Sequence, residues 1–169
     1  MTARKLIIQA DGGSRGNPGL AGYGAVVLDA VTGEVLAEVR EAIGYATNNV
    51  AEYSGLVAGL RAAGELAPGA TAEVRMDSKL VVEQMSGRWK IKHPDLRPLA
   101  AEASRLARAL GPVTYTWVPR ERNTHADRLA NQAMDSVSGR AKAPGGNGAG
   151  SDSGTGSGSR RPSGTAGLW

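Results

Sequence analysis

The chain has 169 residues, no cysteine, 41% hydrophobic and 21% charged residues, and a formal net charge of +4. That length supplies one core rather than two, and the composition is globular rather than disordered. Without cysteine there is no disulfide framework and no thiolate metal site. The apolar runs are too short to span a bilayer, and Met1–Lys5 enters a strand-like run without a signal-peptide pattern, so a soluble, cytoplasmic, monomeric protein is expected. Three of the 20 basic and one of the 16 acidic residues lie beyond Arg140, leaving the preceding part at a mild +2. Any polyanion-binding surface must therefore be local.

Lys5–Ala10 reads as a first strand that ends at Asp11 and enters a turn running from Gly12-Gly13 to Pro18-Gly19. Tyr23–Leu28 and, after Thr32-Gly33, Val35–Ile43 are the second and third strands, so the opening is an antiparallel meander. Asn49–Leu66 carries Val50, Tyr53, Leu56, Val57 and Leu60 at helical spacing, with Asn49 and Glu52 placed like a capping box. Ala72–Met76 is a fourth strand, followed by a helix from Ser78 to about Ser86. A further helix opens at Pro94 or Asp95 and runs to Leu110, where Gly111-Pro112 stops it. Val113–Val118 is the fifth strand and Thr124–Val137 the last helix, with Thr124 and Asp127 again at capping-box spacing. The order βββαβααβα predicts an α/β fold, a mixed five-stranded sheet with three antiparallel strands, then two parallel ones, and helices on both faces. Residues 1–140 form this domain. Residues 141–169 hold nine of the 24 glycines and little apolar content, and are expected to be a disordered Gly/Ser-rich tail or linker.

Four carboxylates have related addresses. Asp11 and Asp77 end strands, while Glu52 and Asp127 sit in first helical turns. Such positions can converge on one sheet edge, where like charges repel unless cations neutralise them. Oxygen donors without cysteine suit Mg²⁺ or Mn²⁺ better than zinc. Each residue also has a plainer explanation: Glu52 and Asp127 as helix caps, Asp77 as the N-cap of the following helix, Asp11 as a turn-former.

Their contexts decide between these readings. Asp11-Gly12-Gly13-Ser14-Arg15-Gly16-Asn17-Pro18-Gly19 followed by Gly22-Tyr23-Gly24-Ala25, then Thr47-Asn48-Asn49-Val50-Ala51-Glu52, Met76-Asp77-Ser78, and Asn123-Thr124-His125-Ala126-Asp127-Arg128-Leu129-Ala130 resemble the type 1 ribonuclease H family. The resemblance spans residues 4–138 and is strongest to actinobacterial ribonuclease H domains, which are often joined by a linker to a C-terminal phosphatase-like domain. It implies an endonuclease that cuts the RNA strand of RNA–DNA hybrids with two divalent ions, leaving 5′-phosphate and 3′-hydroxyl ends. Asp11 would bridge both ions, Glu52 and Asp77 hold one, and Asp127 the other. The resemblance also places Asn17, Asn49 and the Gly12-Gly13 backbone near the RNA strand, and Thr47 and Asn48 near backbone contacts. A hybrid-specific enzyme must sense a 2′-hydroxyl on one strand only.

Two departures from the family pattern matter. Many members carry a histidine in the loop before the last carboxylate. His125 sits on the last helix instead, and Arg120 is the positional match, able to act electrostatically but not to exchange protons. Some relatives insert a basic helix between Met85 and Leu99, whereas this chain passes from Arg88-Trp89-Lys90-Ile91-Lys92-His93 straight to Pro94. Arg88, Lys90, Lys92 and Arg97 with Trp89 are left to hold phosphates of the DNA strand. Trp89 packed inward beneath a solvated basic loop is the alternative. A non-cutting binding module of this fold would have no use for four carboxylates, and a 3′–5′ exonuclease of the wider superfamily would show an Asp-x-Glu first motif.

Overall fold

The computed structural model describes residues 4–141. The glycine-rich segment from 142 onward, and with it nearly all of the expected tail, lies outside the described residues. Five strands, β1 (Lys5–Arg15), β2 (Gly19–Asp29), β3 (Val35–Ala46), β4 (Thr71–Met76) and β5 (Val113–Trp117), form one sheet in the order β3-β2-β1-β4-β5. β1–β2 and β2–β3 pair antiparallel, and β1–β4 and β4–β5 parallel, as the sequence predicts. The helices are α1 (Asn48–Leu66), α2 (Lys79–Met85), α3 (Arg97–Ala107) and α4 (Thr124–Ala141), with a single 3-10 turn at Arg120–Arg122 before α4. Among the described residues no helix is long and apolar enough to cross a membrane.

Alternation along the strands fixes the layers. Leu6, Ile8 and Ala10 of β1, Ala25 and Val27 of β2, and Ala72, Val74 and Met76 of β4 share one core with Tyr53, Leu56 and Leu60 of α1 and with Ala100 and Ala103 of α3. On the opposite face, Gly22 and Gly24 of β2 lie against Leu129, Ala133 and Met134 of α4. β2 is buried from Ala21 to Val27 because a helix covers each of its faces.

Several expected boundaries move, each for a local reason. β1 does not end at Asp11 but continues to Arg15, because the register with β2 runs unbroken from Asp11↔Gly24 to Arg15↔Leu20. The turn is confined to residues 16–18, where Asn17 adopts a positive φ of 25°, a conformation asparagine tolerates. Thr47, not Asn49, caps α1: its hydroxyl accepts the Val50 N–H at 3.2 Å. The helix therefore starts earlier, and Glu52 lies beyond its first turn, not within it. Ser78, not Asp77, caps α2 through the Val81 N–H at 3.3 Å. α3 begins at Arg97, because residues 94–96 form turns and the Asp95 amide donates to the His93 ring. Its last turn closes with 3-10 bonds such as Leu110 N–H to Ala107 O at 3.0 Å. α4 runs past Val137 to Ala141.

Candidate active site

β1 and β4 pair only from Lys5↔Thr71 to Gln9↔Arg75. Past that point β1 stays in the sheet with β2 while the chain leaves β4 for α2, so the two strands part. A cleft at the carboxyl ends of such diverging strands is where open α/β sheets hold their ligands. Asp11 lies two residues beyond the last β1–β4 pair and Asp77 directly follows β4; both are buried, at 1% and 5% exposure.

Asn123 joins the two sides. This buried asparagine donates its side-chain amide to Ala10 O at 2.9 Å and to Asp77 Oδ1 at 3.4 Å. Its own Oδ1 is buried with no hydrogen-bond partner among the described residues. The Asp77 carbonyl accepts the Trp117 indole N–H at 3.2 Å, and Arg120 Nε lies 3.8 Å from Asp77 Oδ2. One Asp77 oxygen thus meets an amide and the other a guanidinium.

Glycines admit the remaining two carboxylates. A Cβ on Gly12 would lie 2.2 Å from the Ala51 carbonyl carbon and 2.5 Å from the Glu52 nitrogen, so only glycine lets α1 cross β1 here. That contact seats buried Glu52 beside the residue that follows Asp11. Gly24, the cross-strand partner of Asp11, would with a Cβ come within 2.6 Å of Ala126 O. The first turn of α4 therefore rests on Gly24 and carries half-buried Asp127 to the same region.

Among the described residues no three His, Cys, Asp or Glu side chains close around a single point. Mg²⁺ commonly takes one or two protein carboxylates and completes its shell with water and substrate phosphate, so pairwise donors are what it requires. Three buried, oxygen-only donors at one cleft fit such a hard cation.

The hairpin end of β1 is tied to α1. Asn48 Oδ1 accepts the Ser14 N–H at 2.7 Å, and Asn17 Oδ1 accepts the Asn48 N–H at 3.0 Å. The Ser14 hydroxyl donates to Ala46 O at 2.7 Å. Asn17, Thr47 and Asn48 thus all perform structural tasks, and the Asn17 and Asn48 side-chain N–H groups have no acceptor among the described residues. Asn49 follows as the second residue of α1, half-buried.

A family model described as reverse transcriptase-like matches residues 9–133. A bifunctional protein of Mycobacterium tuberculosis is 64% identical over 140 residues, 82% of this chain and 38% of that protein. The solved N-terminal RNase H domain from M. tuberculosis, produced as a fusion with maltose-binding protein, is 62% identical, with a TM-score of 0.79 over 82% of this chain and 99% of that one. An RNase H1 solved in complex with an RNA/DNA hybrid is 40% identical, with a TM-score of 0.74 over 78% of this chain and 98% of that one. The chain belongs to the type 1 ribonuclease H family. It spans about 38% of the length of its mycobacterial relative.

Within this ribonuclease H fold the other expected site residues divide. Arg120 stands at the cleft beside Asp77, on the 3-10 turn that leads into Asn123. His125 turns away: its Nε2 pairs with Glu38 Oε2 of β3 and tethers α4 to the meander. Trp89 and Lys90 lie on the loop after α2, where Trp89 is exposed rather than packed inward. The residue that the sequence reading passes over is Asn123. Its signal was a polar side chain directly before a helix, which ordinarily reads as a cap. Here the side chain bypasses the helix and bonds to the two strands.

Proposed function

We propose that this chain is a ribonuclease H that hydrolyses the RNA strand of RNA–DNA hybrids endonucleolytically, in the cytoplasm. The observation that carries the proposal is the link that Asn123 makes between Ala10, the residue before buried Asp11, and buried Asp77 where β1 and β4 part, in a chain of this family. Asp11, Glu52, Asp77 and Asp127 would hold two Mg²⁺ ions, with Mn²⁺ able to substitute. Held by these residues, such cations would supply water activation and charge stabilisation for an in-line displacement that would leave 5′-phosphate and 3′-hydroxyl ends.

The protein's own groups do the positioning. Asn123 holds the Asp77 carboxylate in one orientation, and Asn123 and Trp117 together fix both ends of that residue. Arg120 adds a permanent positive charge at the cleft, where negative charge grows on the phosphate in the transition state. On the RNA side, Asn17 and Asn48, whose side-chain oxygens are taken up by backbone N–H groups, would offer their amide N–H donors to the strand, with Asn49 and the Gly12-Gly13 backbone nearby. These groups can report a 2′-hydroxyl by hydrogen bonding. Trp89 and Lys90 would meet the other strand. A fused C-terminal phosphatase-like domain belongs to the same proposal; the relative's greater length and its description as bifunctional support a further domain, without indicating its chemistry.

A labelled hybrid incubated beside matched RNA–RNA and DNA–DNA duplexes, in Mg²⁺ and in EDTA, tests the reading. Internal cuts confined to the RNA of the hybrid and abolished by EDTA are expected. Cleavage that persists in EDTA would remove the metal mechanism, and loss of cutting on end-blocked hybrids would make the enzyme an exonuclease.

A further inference from the structure

Between α2 and α3 the chain has no regular structure, yet it is held at many points. The Arg88 and Trp89 amides both donate to Glu83 O, at 2.9 and 3.2 Å, and the Arg97 guanidinium donates to Ile91 O at 3.0 Å. Arg88 forks onto the Glu83 carboxylate at 2.6 and 3.0 Å. These bonds consume two of the basic groups. Lys90 and Lys92 remain exposed, their ammonium groups without a partner among the described residues, beside Trp89, which is 42% exposed. An unpaired cation next to an open indole face suits a nucleic-acid strand, the cation for phosphate and the ring for a base or sugar.

One buried contact anchors this exposed edge to the core. Gln84, 5% exposed, accepts the Tyr53 hydroxyl at 2.7 Å and donates its amide to Lys90 O at 3.1 Å. Tyr53 is fully buried and directly follows Glu52 on α1. A buried glutamine with both ends satisfied is a rigid link, since releasing either end would strand a polar atom away from water.

We infer that the Tyr53–Gln84 pair is a brace that holds the Trp89–Lys90 loop in place as a preformed grip for the hybrid. The inference rests on the ribonuclease reading and assigns its affinity to a residue outside the cleft. Gln84 and Tyr53 are positioning residues: they touch no substrate and act through Trp89 and Lys90. A loop held in its bound shape loses less freedom on binding, and that advantage appears in KM rather than kcat.

Gln84→Met keeps length and burial but removes both bonds. It is expected to raise KM for the hybrid about five-fold while kcat stays within about two-fold. Backbone amides of Arg88–Lys90 should exchange faster with deuterium in the same variant. Trp89→Ala should raise KM comparably, and the double variant should be no worse than the poorer single one, because both act on one surface. If Gln84→Met does not fold, Tyr53→Phe, which removes only the hydroxyl, should show the same pattern more weakly. An unchanged KM, a fall in kcat alone, or two effects that multiply would overturn the brace. A wild-type chain that neither binds nor cuts hybrid would instead refute the ribonuclease reading and take the grip with it, whereas exchange rates report on the brace independently of activity.

Discussion

Replacing Asn123 by alanine tests the centre of the site. The change deletes a well-formed bond to Ala10 O at 2.9 Å, worth about 1 kcal/mol, and a longer one to Asp77 Oδ1 at 3.4 Å. A bond to a carboxylate is normally worth about 1.5–3 kcal/mol, and its length here places it at or below the low end of that range. The void left at a position 1% exposed adds roughly 1 kcal/mol. Against this, the variant also loses Asn123 Oδ1, a buried acceptor without a hydrogen-bond partner, which returns about 1 kcal/mol. The net cost is about 2 kcal/mol, which in a domain of this size lowers Tm by roughly 6–8 °C. Activity should fall further than stability suggests. Without the amide, the Asp77 carboxylate is free to rotate, and kcat should drop about ten-fold or more with KM little changed. Thermal unfolding followed by circular dichroism and single-turnover cleavage of a labelled hybrid, both well below Tm, read the two effects separately. A Tm within about 1 °C of wild type together with unchanged turnover would refute the assignment of Asn123 as the link between β1 and Asp77.

Other outcomes follow from the same geometry. Asp11→Asn should abolish Mg²⁺-dependent cleavage while leaving the circular dichroism spectrum unchanged; near-wild-type turnover would remove Asp11 from the mechanism. Arg120→Ala should lose more activity than His125→Ala, because Arg120 faces Asp77 whereas His125 is turned to Glu38; the opposite ranking would mean that the assignment of Arg120 as the loop residue at the site is wrong. Glu73 has its pKa lowered by the Arg75 guanidinium, with a further contribution from the Thr116 hydroxyl. A depressed carboxylate stabilises the fold above its unfolded pKa, and that contribution is lost as pH falls through the folded value. Arg75→Met should therefore destabilise by about 0.5 kcal/mol at pH 7, a small figure because the pair is about one-third exposed, and by nothing measurable near pH 2. Urea midpoints at the two pH values check this, and an equal loss at both would show that Arg75 acts through packing alone.

The sequence by itself determined the class and order of the elements. Period-two runs and turn residues are local signals, so β4, β5 and α2 fall close to where they were read, whereas β2 begins at Gly19, four residues before the expected Tyr23. It also named the four carboxylates, because each sits in a short motif of fixed spacing. What it misjudged were features that depend on partners distant in the chain. Asp11-Gly12-Gly13 looks like a turn until β2 pairs with it residue by residue, and Gly12 is required by the Ala51 backbone that crosses it, not by a turn. Thr47 and Ser78 take the caps that Asn49 and Asp77 also suited, and the competition was settled by which side chain met the open N–H. Arg88 reads as a free cation in sequence and is neutralised by Glu83 in the fold. Asn123 lies 46 residues from Asp77 and 113 from Ala10, and only the packed sheet brings its amide to both. Motifs record which groups a chemistry needs; their orientation depends on long-range contacts that no local window contains.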